Sequence, residues 1–151
     1  MFTTVRYFIK TSIIFLVVGL LSGLFLLLAK YYFGVGYSPQ VITAHTHIIL
    51  IGSVMMMIMG VALWFFPRAA KTDKRYNPDL ISIVYWVLML STSARFVMQF
   101  LSAFYSDDWV VLLITLSSVL QVLSIALFFY SMWGRIRAVG SQYREAKGEK
   151  F

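Results

Sequence analysis

The chain has 151 residues, of which 60% are hydrophobic and 13% are charged, and its mean hydropathy of +0.81 excludes an ordinary soluble domain. The absence of cysteine excludes disulfides, iron–sulfur clusters and thioether-attached heme. The net charge of +7 comes from basic residues that flank apolar runs, which is typical of anchors at the cytoplasmic membrane surface, so no nucleic acid partner is expected.

The first predicted helix covers residues 11–30, an uncharged run between a short basic lead and Lys30. A signal peptide is the competing interpretation, but the apolar core exceeds the usual run of about 7–15 residues and no A-x-A-like cleavage site follows. Gly19 and Gly23 form a G-x-x-x-G pattern with Ser22 beside them. This pattern favours close packing against another helix of the same chain.

The second predicted helix covers residues 42–66 and contains both histidines of the chain, His45 and His47. Thr43 is an expected early cap, and Pro67 ends the helix. The run has no other ionisable side chain. Two imidazoles in a membrane-spanning segment are costly, and they therefore indicate a function.

The third and fourth predicted helices cover residues 80–104 and 109–133, and the turn Asn77-Pro78-Asp79 precedes the third. Gln121 of the fourth helix is expected to hydrogen-bond across helices. Residues 1–134 thus form a domain of four transmembrane helices, an all-α membrane fold. Residues 135–151, which include Arg135, are expected to be a solvated basic cytoplasmic tail.

The distribution of lysine and arginine predicts the orientation. The amino end, the second loop and the tail carry most of the basic charge, so both termini are expected in the cytoplasm, with the chain surrounded by lipid of a bacterial or archaeal inner membrane. The second helix then runs from outside inward. This orientation places His45 and His47 close to the outer face.

The spacing of the two histidines restricts how they could bind a metal. Residues two apart project about 200° from each other on a regular helix, so His45 and His47 cannot bind one ion from one side. Two separate iron ligands, or one ligand and one structural hydrogen bond, both remain open. A ligand also needs an acceptor for its other ring nitrogen, and Thr43, Thr46 or a helix-end carbonyl could serve. The competing interpretation is a pair of interfacial imidazoles bonded to headgroups, water or backbone.

The sequence around the histidines resembles a known family. Ala44-His45-Thr46-His47, with Trp64, Phe66 and Pro67 about twenty residues on, is similar to the His-x-His helix of heme-copper oxidase subunit I. The resemblance extends to the histidine-bearing helix of nitric oxide reductase large subunits, in which glycines recur near Gly52 and Gly60. It covers about 24 residues, and Thr46 departs from the family's usual aromatic residue.

The resemblance implies that His45 matches the ligand of a high-spin heme and His47 a ligand of a low-spin heme. It also implies one four-helix repeat unit of the family's larger architecture. The family's copper site needs three further histidines, which this chain lacks. Copper is therefore not expected, no catalytic residue is assigned, and reduction of oxygen or nitric oxide by one subunit is not expected.

The sequence thus predicts a b-type heme protein for electron transfer. Because one copy offers one histidine per heme face, His47 of one copy and His45 of the next could bind heme iron between them in a homo-oligomer, with a trimer favoured. A redox partner protein is also expected. The alternative is a heme-free membrane scaffold or assembly subunit. A small-solute or proton carrier is disfavoured, since no acidic residue falls in a predicted span.

Four further residues are predicted to contact the heme. Arg95, the only basic residue deep in a predicted span, needs an anionic or dipolar partner, and a heme propionate would suit it with help from Gln99. Snorkelling or pairing with helix carbonyls is the alternative for Arg95. Gly52 and Gly60 could admit a porphyrin or a neighbouring helix, and helix packing is favoured of the two.

Overall fold

The computed structural model describes residues 2–34, 38–67, 69, 75–105, 107–137 and 140–148. Its elements in chain order are α1 (Phe2–Tyr31), α2 (Pro39–His47), a π-helical segment (Ile48–Met55), α3 (Met56–Phe65), α4 (Pro78–Leu101), α5 (Asp108–Met132), a 3₁₀ turn (Trp133–Arg135) and α6 (Ser141–Ala146). The prediction of an all-α fold is confirmed, and the described residues include no strand.

Within the part of the chain that the structure describes, four helices are long and apolar enough to cross a membrane, as predicted. They are Thr3–Tyr31, Pro39–Phe65, Pro78–Leu101 and Asp108–Arg135. The second of these, here called the second span, consists of α2, the π segment and α3. We call the end of the bundle where α2 begins the histidine end and the opposite end the basic end.

Two predicted boundaries in the amino-terminal half were wrong. Helix α1 begins at Phe2 and not near residue 11, because Val5 and Phe8 lie on one buried face while the side chain of Arg6 stays exposed. The second span begins at Pro39, with Ser38 as its cap, whose hydroxyl accepts a hydrogen bond from the Gln40 amide. Proline at the first helical position suits this start, because its missing N–H would have had no partner.

The cap predicted at the third span was confirmed. The side-chain oxygen of Asn77 accepts a hydrogen bond from the Asp79 amide at 2.8 Å, and Pro78 follows as the first residue of α4. Helix α4 ends at Leu101, three residues before its predicted end.

Helix α4 is the centre of the bundle. It packs along α5 on one side and against α2 on another, while α1 packs against the π segment and α3. The core includes Phe8, whose ring lies edge-on to Tyr85 at 5.2 Å and to Phe128 at 6.0 Å between centroids. These rings join α1, α4 and α5 in the half of the bundle toward the basic end.

Arg135 was assigned to a solvated tail, and this prediction was wrong. Its side chain is 0% exposed and donates to the carbonyl oxygens of Leu63, Phe66 and Pro67 at 3.0, 3.0 and 2.8 Å. These carbonyls lie at the carboxyl end of α3, where backbone acceptors have no partner within the helix. The ring of Tyr76 also faces the guanidinium at 4.7 Å. Arg135 therefore fastens the end of α5 to the end of the second span.

Candidate functional site

The imidazole of His45 is held by α1. Its Nδ1 lies 3.0 Å from the carbonyl oxygen of Gly19 and 3.1 Å from the hydroxyl of Ser22. The Ser22 hydroxyl itself donates to the Gly19 carbonyl at 2.7 Å. The ring passes so close to Gly23 that a Cβ there would lie 2.8 Å from its Cε1. The two glycines of this pattern on α1 thus pack against another helix of the same chain, as predicted. The group that packs against Gly23 is the ring of His45.

The imidazole of His47 is held by its own helix. Its Nδ1 lies 2.9 Å from the carbonyl oxygen of Thr43, one turn earlier. Because about 200° separates the two histidines on a helix, and His45 faces α1, His47 lies on the flank of α2 away from α1. The prediction that each ring faces a different neighbouring helix stays a prediction for His47, whose recorded bond is to its own helix.

The hydrogen bonds determine the tautomer of both rings. A carbonyl oxygen only accepts, so Nδ1 must carry the proton in His45 and in His47. In the neutral imidazole each Nε2 then keeps its lone pair. Neither Nε2 has a hydrogen-bond partner among the described residues. Neither atom is completely buried without a partner. Each Nε2 therefore has a lone pair that no described residue uses.

A π-helical segment begins at the residue after His47 and runs from Ile48 to Met55. The amide of Met56, which follows it, reaches back to the Ile51 carbonyl five residues earlier. Such widened turns are rare and are frequent at functional sites. The histidine pair therefore lies at the junction between regular and widened helix, which the sequence pattern did not indicate.

Gly52 and Gly60, predicted as heme contacts or helix contacts, lie at helix contacts. A Cβ at Gly52 would lie 2.8 Å from the ring of Phe15, and a Cβ at Gly60 would lie 2.9 Å from Ile9. Side chains of α1 therefore fill the space over both glycines. These contacts agree with helix packing, which the sequence favoured over contact with a porphyrin.

Arg95 bonds to α5, and no acidic partner is found for it among the described residues. Its Nη1 donates to the Gln121 side-chain oxygen at 2.9 Å, and the Gln121 amide nitrogen donates to the Thr92 hydroxyl at 3.0 Å. The prediction that Gln121 bonds across helices is confirmed. Gln99 is 2% exposed, and its side-chain oxygen is buried without a partner.

The described residues include no group of three or more His, Cys, Asp or Glu side chains that could hold a metal ion. His45 and His47 are candidate single ligands, and they leave α2 about 200° apart. Either ring alone would therefore supply one ligand from this copy. The four methionines of the second span are not needed for this, and two of them, Met56 and Met59, are fully buried in the core.

Comparison of the chain with known protein families, curated proteins and solved structures finds no match. Ser22 and Gly23 contact His45, and the sequence alone did not assign them to the histidines. Their position between two and three turns from the histidine end of α1 could have indicated such a contact, because α1 and α2 are joined by a short loop and must lie side by side.

Proposed function

We propose that the protein is a b-type heme-binding integral membrane protein that transfers electrons. The observation that carries this proposal is the state of the two histidines: both Nδ1 atoms donate to backbone carbonyls, and no described residue bonds to either Nε2. Histidines that ligate metals almost always donate their second ring N–H to a carbonyl, a carboxylate or water. Interfacial imidazoles bonded to headgroups would have no need of two such fixed acceptors.

The chain's own residues would supply three things to the heme. Each Nε2 offers an axial ligand, and its carbonyl partner fixes the ring and raises the basicity of the ligand. Ser22 and Gly23 hold the ring of His45 against α1. The apolar surface of the second span excludes water, which influences the reduction potential. When bound, the heme would supply a one-electron redox change.

The opposite directions of the two histidines support a heme shared between copies. An iron with His47 from one copy and His45 from the next has no open coordination site, which suits electron transfer and not gas binding. Repetition of this contact around a closed ring gives a homo-oligomer, and we propose a trimer. A redox partner would then approach at the histidine end.

The absorption spectrum of the purified protein tests the proposal. We expect a strong Soret band in the wild-type protein and its loss in both His45→Ala and His47→Ala. The matched control is Thr46→Ala, which alters the exposed residue between them and should keep the band. With all axial positions filled, carbon monoxide should not change the spectrum of the dithionite-reduced protein.

A colourless wild-type protein of normal stability would contradict the proposal. That result would favour the alternative of a heme-free scaffold or assembly subunit. A Soret band that survives in both histidine variants would contradict the assigned ligands.

A further inference from the structure

We infer that Arg95 is the centre of a binding site for an oxyanion, either a carboxylate or a phosphodiester. The site lies between α4 and α5 in the half of the bundle toward the histidine end. The inference goes beyond the proposed heme, and it rests on the proposed function only where the carboxylate would be a heme propionate.

The charge of Arg95 is uncompensated within the described chain. Its only hydrogen-bond partner there is the neutral amide of Gln121. A guanidinium inside an apolar span is costly unless it meets an anion or a strong dipole. One amide oxygen satisfies one of the five N–H donors that an arginine carries.

The guanidinium has one edge in use and one edge free. Nη1 is used by Gln121, whereas Nε is buried and has no partner. Nε and Nη2 point their N–H bonds in the same direction, and this pair matches the two oxygens of a carboxylate or phosphate. The free edge is therefore the bidentate edge, and an oxyanion is the group that it fits best.

Gln121 keeps that edge in place. Its amide nitrogen donates to the Thr92 hydroxyl, which turns its oxygen toward Arg95. The arrangement holds the guanidinium from α5 through Nη1 and leaves Nε without a partner. If the Arg95 side chain only extended toward the membrane surface, it would not need Gln121 and Thr92 to hold it.

Gln99 supplies a second unpaired polar group on the same face of α4, one turn nearer the histidine end. It is 2% exposed, and its Oε1 is buried without a donor. The oxygen and nitrogen of an amide exchange places when it rotates. In the rotated form, the NH₂ group of Gln99 would donate to the same oxyanion as Arg95.

The test measures binding of two anions to the wild-type protein and to variants of Arg95. The first arm compares heme with heme dimethyl ester, which lacks the propionate charges. The second arm compares phosphatidylglycerol with an uncharged diacylglycerol by native mass spectrometry of the detergent-solubilised protein. In the arm that supplies the ligand, we expect Arg95→Gln to weaken binding of the charged form about tenfold or more and to leave the uncharged form unchanged. Arg6→Gln removes an equal charge from an exposed site and should have no such effect.

A second variant guards against a loss of fold in Arg95→Gln. In Gln121→Glu a carboxylate would replace the amide oxygen that now lies 2.9 Å from Nη1. This variant should fold normally and should lose the preference for the charged ligand, because the anion is then internal. Dependence on Arg95 in the heme arm identifies a propionate, and dependence in the lipid arm identifies a phosphodiester. Binding that depends on Arg95 in neither arm overturns the inference, while absence of heme binding alone overturns only the proposed function.

Discussion

At the scale of single residues, the orientation of His45 depends on a glycine of the neighbouring helix. The ring occupies the space that a side chain at Gly23 would need, and its Nδ1 reaches the Gly19 carbonyl only from that position. Ser22 adds a hydroxyl to the same nitrogen. These contacts fix the direction of the Nε2 lone pair, so the candidate ligand is already oriented within a single chain.

Gly23→Ala should therefore displace His45. The added Cβ would lie 2.8 Å from Cε1, and the ring cannot retreat without losing its carbonyl acceptor. We expect heme affinity to fall about tenfold or more, as for other changes around metal-bound histidines. The measurement is a heme titration followed at the Soret band. Leu24→Ala, at a lipid-facing neighbour that is 52% exposed, should leave the affinity unchanged, and equal effects of the two substitutions would contradict the positioning role.

Arg135 is the second residue whose role was visible only in the structure. Arg135→Met would remove the donor to three carbonyl oxygens and leave them buried without partners. We expect the free energy of unfolding in detergent to fall by about 3 kcal/mol or more. The control is Arg6→Met, an exposed arginine of α1. A loss of stability no larger than that of the control would show that the carbonyls find other donors.

At the scale of elements, the π segment is the least regular part of the second span and lies beside the histidines. A widened turn absorbs one extra residue while the helix on either side keeps its direction. Here it lets Gly52 pack against Phe15 while Gly60 packs against Ile9. The second span can therefore pack against α1 on both sides of the widened turn and still place the histidines at its end.

Deletion of one residue distinguishes a widened turn from an ordinary helix. Deletion of Leu50, inside the π segment, should be tolerated, because the span can return to regular α-helix without rotating either flank. Deletion of Leu90 in α4, a leucine of similar exposure (59% against 53%), should unfold the protein, since it rotates one half of a regular helix by about 100°. Thermal unfolding of both variants is the measurement. Equal tolerance of the two deletions would show that the widened turn has no such role.

The helices could be predicted from the sequence, but most of the contacts between them could not. Apolar runs of about 20 residues separated by turn signals predicted four spans, and Asn77 marked the start of one of them. The start of α1 was missed because Arg6 and Lys10 suggested a solvated lead, although their long side chains can leave the membrane while the helix continues.

Only part of the candidate site could be predicted from the sequence. The spacing of His45 and His47 depends on local helix geometry, so their opposite directions could be derived from sequence. The acceptors on α1 and the pairing of Arg95 with Gln121 depend on which helices become neighbours. Hydrophobic pattern does not specify that choice, because apolar helix faces in a membrane resemble one another.

At the scale of the whole molecule, the first span begins and the fourth span ends at the basic end of the bundle. Arg6 and Arg135 lie at that end, whereas Asp107 and Asp108 lie at the histidine end. This asymmetry supports the proposed orientation, with the basic end in the cytoplasm.

Labelling of single cysteines tests the orientation, and the chain has no native cysteine to interfere. In intact cells, Tyr105→Cys should react with a membrane-impermeant maleimide, because it lies in the loop at the histidine end. Ala69→Cys, in the loop at the basic end, should react only after the membrane is opened. The opposite pattern would place the histidines near the cytoplasmic face.

The central claim is that imidazoles of two copies hold one heme iron, and mixed oligomers test it most directly. His45→Ala and His47→Ala copies carrying different affinity tags are coexpressed, purified through both tags, and compared by Soret absorbance with oligomers of each variant alone. We expect no band from either variant alone and a partial band from the mixture, in which His47 of one copy meets His45 of another. A coloured wild-type protein without any recovery in the mixture would contradict ligation between copies.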